Sequence, residues 1–561
     1  MYMQPAQLPN HHDKSWLKDI FFLSCILGSL FFIMLGARSL FVPDEGRYAE
    51  IAREMVASGN YVTPYLNEIK YFEKPVLFYW LEAAAIHLGG LNLWAIRSVN
   101  ALLALLGCIL TYCTARTLYN RTTGLLSALI LGTSTLYFVM THMVSLDLPV
   151  TIFISMTLFA FILGIQHPPG HTRRLFLWTA SIAAACAVLT KGLIGIVFPI
   201  MIITTWIALM GEWRLLSKLY IPSCLLIFLL VAAPWHILVG QRNPEFFYFY
   251  FIKQHFLRYT TMKVGHYQPA WFFIPNVIIG FFPWIVFLPQ ALSKALPSTW
   301  HLRRNNKLEI FFLIWAMLIF IFFSFSKSKL IPYILPIFPP LAILTARYLQ
   351  QAAFNKLFSG IKTGFTCLLG ISTIIAIACV LFPHYTLLPD PKTAALYLAV
   401  AAVILLTGNS FACFYSYRRH VYKAIIITIV TAWLFLVVSF SAMPSIDTRT
   451  IKPLAEILNP ILTQQDEVIT YNQYFQDLPF YLQRRVTILN WKNELKYGMQ
   501  HQDTREWMID DKTFWERWHS NKRMFAILGK KEYQSFIVHY ADEKHYLIGE
   551  TVSNVLISNK Q

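Results

Sequence analysis

Apolar runs of about 20 residues, the length that crosses a bilayer as a helix, recur from residue 17 to residue 443 of this chain. In hydrocarbon a helix satisfies its own backbone hydrogen bonds, so such runs have few other ways to fold. Only 14% of the 561 residues are charged, against about 25% in ordinary soluble chains. The fold class is therefore a polytopic α-helical membrane protein. Hydropathy places about thirteen spans at 17–37, 94–116, 122–140, 145–165, 175–190, 193–210, 217–239, 270–296, 308–326, 331–349, 360–382, 393–415 and 422–443. Thr190-Lys191-Gly192 leaves open whether its two neighbours are one long segment.

The Lys/Arg bias of the short loops sets the expected orientation. With a cytoplasmic N-terminus, every cytoplasmic segment holds basic residues, among them Arg116 and Arg121, Arg173 and Arg174, Arg303 and Arg304, and Arg418 and Arg419. The opposite segments collect most of the acids, including Asp44, Glu45, Glu73 and Asp147. The net charge of +18 resides in this membrane part, because residues 444–561 balance 15 Lys/Arg with 15 Asp/Glu. That distribution argues against nucleic acid as a partner. The eight cysteines fall in or beside spans, so neither a disulfide framework nor a zinc spacing is expected. Segment 17–37 reads as a retained first helix rather than a cleaved signal.

Two domains are expected: a membrane domain over 1–443 and a small extracytoplasmic α/β domain over 444–561. Strand-like stretches in the latter lie at 468–471, 486–489, 525–528 and 547–549, with helical pieces at 451–463 and 513–520. Loops 38–93 and 240–269 are expected to carry interfacial helices. In the first, Tyr48, Ile51, Ala52, Met55 and Val56 form one helical stripe. Asp44 stands before it as an N-cap and Gly59-Asn60 closes it. A second short helix is expected from Val76 to His87.

That first loop carries the chemistry. Asp44 reads as a cap, as a general base or as an orienting carboxylate, and these roles are compatible. Arg47 and Tyr48 follow on the same helix side. Glu73 and Lys74 precede Pro75. Asp147 follows His142 and Ser145 at the start of a span, where an ionisable residue is a functional candidate or the partner of a cation such as Lys191. Lys74, Lys191, Lys253, Arg258, Lys327 and Lys329 are all expected on the outer side, against the positive-inside rule, and a phosphate would account for them. Glu73, His255 and His142 are the residues that could hold a divalent metal, but no metal-ligand spacing requires one. No cofactor is required by the sequence. Tyr333 follows Lys329 into the next span, in the loop best suited to close over a lipid phosphate.

Pro43-Asp44-Glu45-Gly46-Arg47-Tyr48-Ala49-Glu50, Phe72-Glu73-Lys74-Pro75, Ser145-Leu146-Asp147, Leu189-Thr190-Lys191-Gly192 and Lys329-Leu330-Ile331-Pro332-Tyr333-Ile334-Leu335-Pro336 together resemble the lipid A 4-amino-4-deoxy-L-arabinose transferases. These are C-type glycosyltransferases, related to protein O-mannosyltransferases. The resemblance implies a bacterial inner-membrane enzyme with its active site and C-terminal domain in the periplasm. It implies a monomer that takes a sugar from undecaprenyl phosphate to lipid A. Asp44 would be the catalytic-loop carboxylate, with Asp147 and Glu73 beside it. Lys74 and Arg258 would bind the donor phosphate, and Arg47, Tyr48, Lys191 and Tyr333 would line the same cavity. One departure stands out: where that family carries His-Glu-His, this chain reads Lys253-Gln254-His255. The competing readings are another sugar (hexosamine or mannose) on lipid A or protein, and a transporter of polyprenyl-linked sugar. The transporter is disfavoured by the lack of an internal repeat.

Overall fold

A computed structural model describes residues 15–257 and 267–561. Among them, ten helices are long and apolar enough to cross a membrane. Two further spans are bent pairs: Arg121–Gly132 with Thr135–Thr141, at 65°, and Ala270–Gly280 with Trp284–Ala295, at 107°. The remaining expected segment is the 17-residue helix Ile194–Met210. The thirteen expected spans thus become ten long helices, two broken ones and one short one. The two bends meet. The Trp284 indole donates to the Thr133 hydroxyl at 2.9 Å, and the Thr135 amide donates to the Phe282 carbonyl at 3.1 Å. Polar groups freed at one break are satisfied by the other, as an apolar surrounding demands.

The segment around Lys191 is two helices. His171–Lys191 ends at Gly192, whose φ of +98° suits glycine alone at little cost, and Ile194–Met210 begins just beyond. Lys191 is thereby the last residue of a helix, exposed at a chain break rather than embedded in a span.

The C-terminal domain is a six-stranded mixed sheet ordered β5-β4-β3-β6-β8-β7. Its strands are β3 (Glu467–Thr470), β4 (Thr487–Leu489), β5 (Met508–Ile509), β6 (Met524–Gly529), β7 (Tyr546–Glu550) and β8 (Asn554–Ser558). β3 to β6 pair in parallel, and β8 and β7 close the edge antiparallel. Alternate residues serve two cores. Ile469, Ala526 and Leu528 pack under helices Asp511–Trp518 and Lys530–His539, while Val468, Phe525 and Ile527 join a second core. That second core is shared with the first loop: Leu40, Tyr48, Ile51, Met55 and Phe78 belong to it, as do Trp235 and Phe246.

The first loop is accordingly not a free interfacial segment. Its helix runs Asp44–Ser58, followed by the hairpin β1 (Tyr65–Leu66) and β2 (Ile69–Lys70) and the helix Leu77–Gly89. The hairpin turn reaches the C-terminal domain. Asn67 exchanges two 2.9 Å hydrogen bonds with the Val486 backbone, and the Trp507 indole donates to the Asn67 carbonyl at 3.1 Å. The Asp44–Ser58 helix buries Glu50 and Glu54 as well as its apolar stripe, because Tyr474 and the segment around Asp477 cover the side expected to face water.

Gly46 is the tightest point of this docking. A Cβ there would stand 2.5 Å from the Asp477 amide nitrogen and 2.8 Å from its Cα. In an open helix Gly→Ala stabilises by about 1 kcal/mol. Here the overlap is with backbone, so Gly46→Ala is expected to destabilise by about 1–3 kcal/mol. The check is a lower melting temperature in detergent together with faster proteolysis within 444–561. An unchanged or raised melting temperature would mean the domains do not meet at Gly46.

Candidate active site

The first turn of the Asp44–Ser58 helix separates two adjacent carboxylates. Glu45 points inward and is fully buried, while the Asp44 side chain keeps 45% of its surface exposed. Pro43 occupies the cap position and no side chain caps the helix, so Asp44 is not the expected N-cap. Its carboxylate is left available at the positive end of a helix dipole, with Arg47 Nη1 3.4 Å away.

Glu45 ties three stretches of chain together. One oxygen accepts from Arg97 Nε at 3.0 Å and from the Val144 amide at 2.9 Å. The other accepts from the Phe41 amide at 2.7 Å and from Arg97 Nη2 at 3.2 Å, with Arg38 Nη1 at 2.6 Å. Arg97 also donates to the carbonyls of Leu35, Arg38 and Ser39 at 2.7–2.8 Å. Burial alone would raise the Glu45 carboxyl, but Arg38 and Arg97 outweigh it and hold the group at about 2. The stability that its ionisation supplies is present above the ordinary carboxylate range and is lost only as pH falls through about 2.

This clamp brings the loop of Asp147 beside that of Asp44. Asn100 supports it by donating to the Ser145 carbonyl at 3.0 Å. Tyr48 lies among the carboxylates: burial first, then the charges of Asp44, Asp147 and Glu73, push its phenol well above the ordinary range, against Arg47. The Tyr71 hydroxyl donates to Glu73 at 3.3 Å. Asp147 accepts from the Ser145 hydroxyl at 3.1 Å and is bonded to Lys191. The Lys191 ammonium lies 4.5 Å from the centre of the Tyr333 ring. Asp44, Arg47, Tyr48, Glu73, Asp147, Lys191 and Tyr333 thus form one connected group. Lys74, half-buried, sits between Glu73 and Pro75.

Several expectations change. Arg47, expected at a donor phosphate, is instead engaged by Glu494 of the C-terminal domain through Nη2 at 2.7 Å and Nε at 3.2 Å, as well as by Asp44. His142 does not face the site as a metal ligand. It is buried against Phe138 and Phe440, with its ring nitrogens 3.1 and 3.2 Å from the Phe138 and Ile33 carbonyls. Lys329 is buried and donates to the backbone carbonyls of Gln268, at 2.8 Å, and Ser326, so it fixes the loop rather than facing a phosphate. Among the described residues no three His, Cys, Asp or Glu side chains gather as a metal site. Arg258 and the His255 side chain lie outside the described residues.

A cavity of about 420 Å³ opens beside this group. Glu73, Phe249 and Lys253 wall one side, and Asn493, Glu494, Tyr497 and Gln500 of the C-terminal domain wall the other. The Tyr497 and Phe249 rings stack with centroids 3.9 Å apart, and the Lys253 ammonium lies 4.9 Å from the Tyr497 ring centre. None of the C-terminal residues was legible as functional from the sequence. Glu45, Arg38 and Arg97 were also missed, although an arginine at the edge of an apolar run is a signal in itself.

Residues 20–250 match the dolichyl-phosphate-mannose-protein mannosyltransferase family, and residues 454–559 match the aminoarabinose transferase C-terminal domain. The undecaprenyl phosphate-alpha-4-amino-4-deoxy-L-arabinose arabinosyl transferase of Erwinia tasmaniensis is 30% identical over 407 residues, 70% of this chain and 72% of that one. The protein of the same name in Pectobacterium atrosepticum is 28% identical over 522 residues, 91% and 92% of the two chains. The crystal structure of ArnT from Cupriavidus metallidurans bound to undecaprenyl phosphate superposes with a TM-score of 0.87 at 27% identity, covering 98% of each chain.

Removing the Glu45 charge leaves Arg38 and Arg97 buried without their anion. Glu45→Gln is expected to destabilise by about 3–5 kcal/mol, read as a large drop in detergent melting temperature at neutral pH. A change within 0.5 kcal/mol of the parent would remove Glu45 from its central place.

Proposed function

The chain belongs to the undecaprenyl phosphate-aminoarabinose transferase family, and we propose that it transfers 4-amino-4-deoxy-L-arabinose from undecaprenyl phosphate to a phosphate of lipid A. The observation that carries this reading is the convergence of Asp44, Glu73 and Asp147 around Tyr48, in a fold that superposes along 98% of its length on a structure holding undecaprenyl phosphate. We place the protein in the bacterial inner membrane as a monomer, with the N-terminus cytoplasmic and the site and C-terminal domain periplasmic. Arg116 and Arg121, gathered on Asp19 at 2.6–2.8 Å, would then belong to the cytoplasmic end.

The reaction balances without a cofactor. An acceptor phosphate oxygen attacks the anomeric carbon from the face opposite the donor phosphate. The bond between that carbon and the donor oxygen breaks, its electron pair leaves with undecaprenyl phosphate, and the configuration inverts. Lys74 and Arg258 are the residues assigned to the charge that grows on the departing phosphate, commonly the largest catalytic contribution. A phosphate acceptor is already ionised at neutral pH, so Asp44 has no proton to remove. Its exposed carboxylate, beside the Arg47 guanidinium, suits orienting the acceptor or stabilising positive charge on the sugar ring. A hydroxyl acceptor would instead need Asp44 as a base.

Asp44→Asn and Lys74→Ala are each expected to abolish transfer while the protein inserts and melts normally. The measurement is transfer by purified protein from undecaprenyl phosphate-aminoarabinose to lipid A, followed by mass spectrometry. Full activity in either variant removes that residue from the site. A mass increment for hexosamine or mannose, or an acceptor other than lipid A, would replace the sugar or acceptor proposed.

A further inference from the structure

We propose that Glu494 of the C-terminal domain is a positioning residue of the active site, holding Arg47 so that Asp44 keeps its catalytic placement. The inference rests on the transferase reading and gives the C-terminal domain a part in the chemistry.

The geometry is a relay of charges. Glu494 takes the Arg47 guanidinium with both oxygens, at 2.7 and 3.2 Å. The free end of that guanidinium, Nη1, reaches Asp44 at 3.4 Å. A bidentate carboxylate fixes the plane of an arginine as well as its position. Gln476 donates to Glu494 at 3.2 Å and fixes the carboxylate in turn. The Arg47 side chain is 12% exposed and the Glu494 side chain 14%, so solvent does not supply competing partners freely. Glu494 also stands on the wall of the 420 Å³ cavity that Glu73 shares.

Domain docking does not need this bond. Asn67 with Val486, Trp507 with Asn67, Arg485 with Glu68, Tyr481 with the Leu40 amide and Gln502 with the Glu68 carbonyl already join the two parts, over a common apolar core. Of these contacts, the one through Glu494 ends on the side chain that faces Asp44. Loss of Glu494 is therefore expected to leave the domain in place and to release Arg47.

The test compares Glu494→Gln, Glu494→Asp, Arg47→Lys and the double variant Arg47→Lys/Glu494→Gln, with the exposed Glu506→Gln as control. Glu494→Gln is expected to lower kcat on the order of 100-fold, the usual consequence of about 1 Å of misplacement. KM for the donor and the melting temperature should stay within about twofold and a few degrees. Glu494→Asp should recover part of the loss. The double variant should be no slower than the slower single, because residues acting as one unit do not add. Full activity in Glu494→Gln, multiplicative losses in the double variant, or a fall in melting temperature matching the fall in rate would each overturn the proposal. If the parent protein transfers no aminoarabinose, the functional reading itself fails. Melting temperatures of the same set, analysed as a double-mutant cycle, still report whether Arg47 and Glu494 are coupled, and absence of coupling would overturn the clamp.

Discussion

Two buried arginines closing on one buried glutamate organise this protein. Glu45 is reached from the first loop by Arg38 and the Phe41 amide, from a membrane helix by Arg97, and from the loop before Asp147 by the Val144 amide. A lone buried carboxylate would protonate rather than stay charged. Two guanidiniums and two amides make the charged form the stable one, and the geometry is then over-determined. Asp44 is the next residue along the chain, so its placement at the edge of the site follows from where Glu45 is anchored.

The second constraint is a core that crosses the domain boundary. One face of the sheet packs on the first loop instead of on a helix layer of its own, so Val468, Phe525 and Ile527 share a cluster with Tyr48 and Ile51. The site is thereby assembled from parts far apart in sequence. The first loop supplies the acids Asp44 and Glu73, the membrane helices supply Asp147 and Lys191, and the C-terminal domain supplies Glu494 and Tyr497. Such a site tolerates little relative motion of its parts, which suits a reaction needing a lipid-borne phosphate and an acceptor to meet in line.

The sequence announced the membrane class, the helix at Asp44, the hairpin of helices around Lys191 as one of two options, and most strands of the sheet. Those signals are local: apolar run length, a 3.6-residue stripe, a glycine break. β5 escaped because two residues carry no periodicity, and β8 was passed over although Val555-Leu556-Ile557 is an apolar run. Strands buried on both faces also lack clean alternation. The candidate residues Asp44, Glu73, Asp147 and Lys191 were legible because charge is conspicuous among apolar neighbours. The partnerships were not. Whether Arg47 meets a phosphate or Glu494, and whether His142 faces a ligand or two carbonyls, depends on chain segments hundreds of residues or a helix bend away. Glu494 sits in a balanced, polar stretch where one acid among fifteen draws no notice.

The most direct test of the account is an experimental structure of the protein with undecaprenyl phosphate bound. The phosphate is expected within hydrogen-bond reach of Lys74, about 3 Å, on the side of the clamp where Asp44 is exposed and Arg47 still bridges to Glu494. A phosphate seated at the opposite end beside Arg116 and Arg121, or separated from Lys74 by the whole first loop, would contradict it.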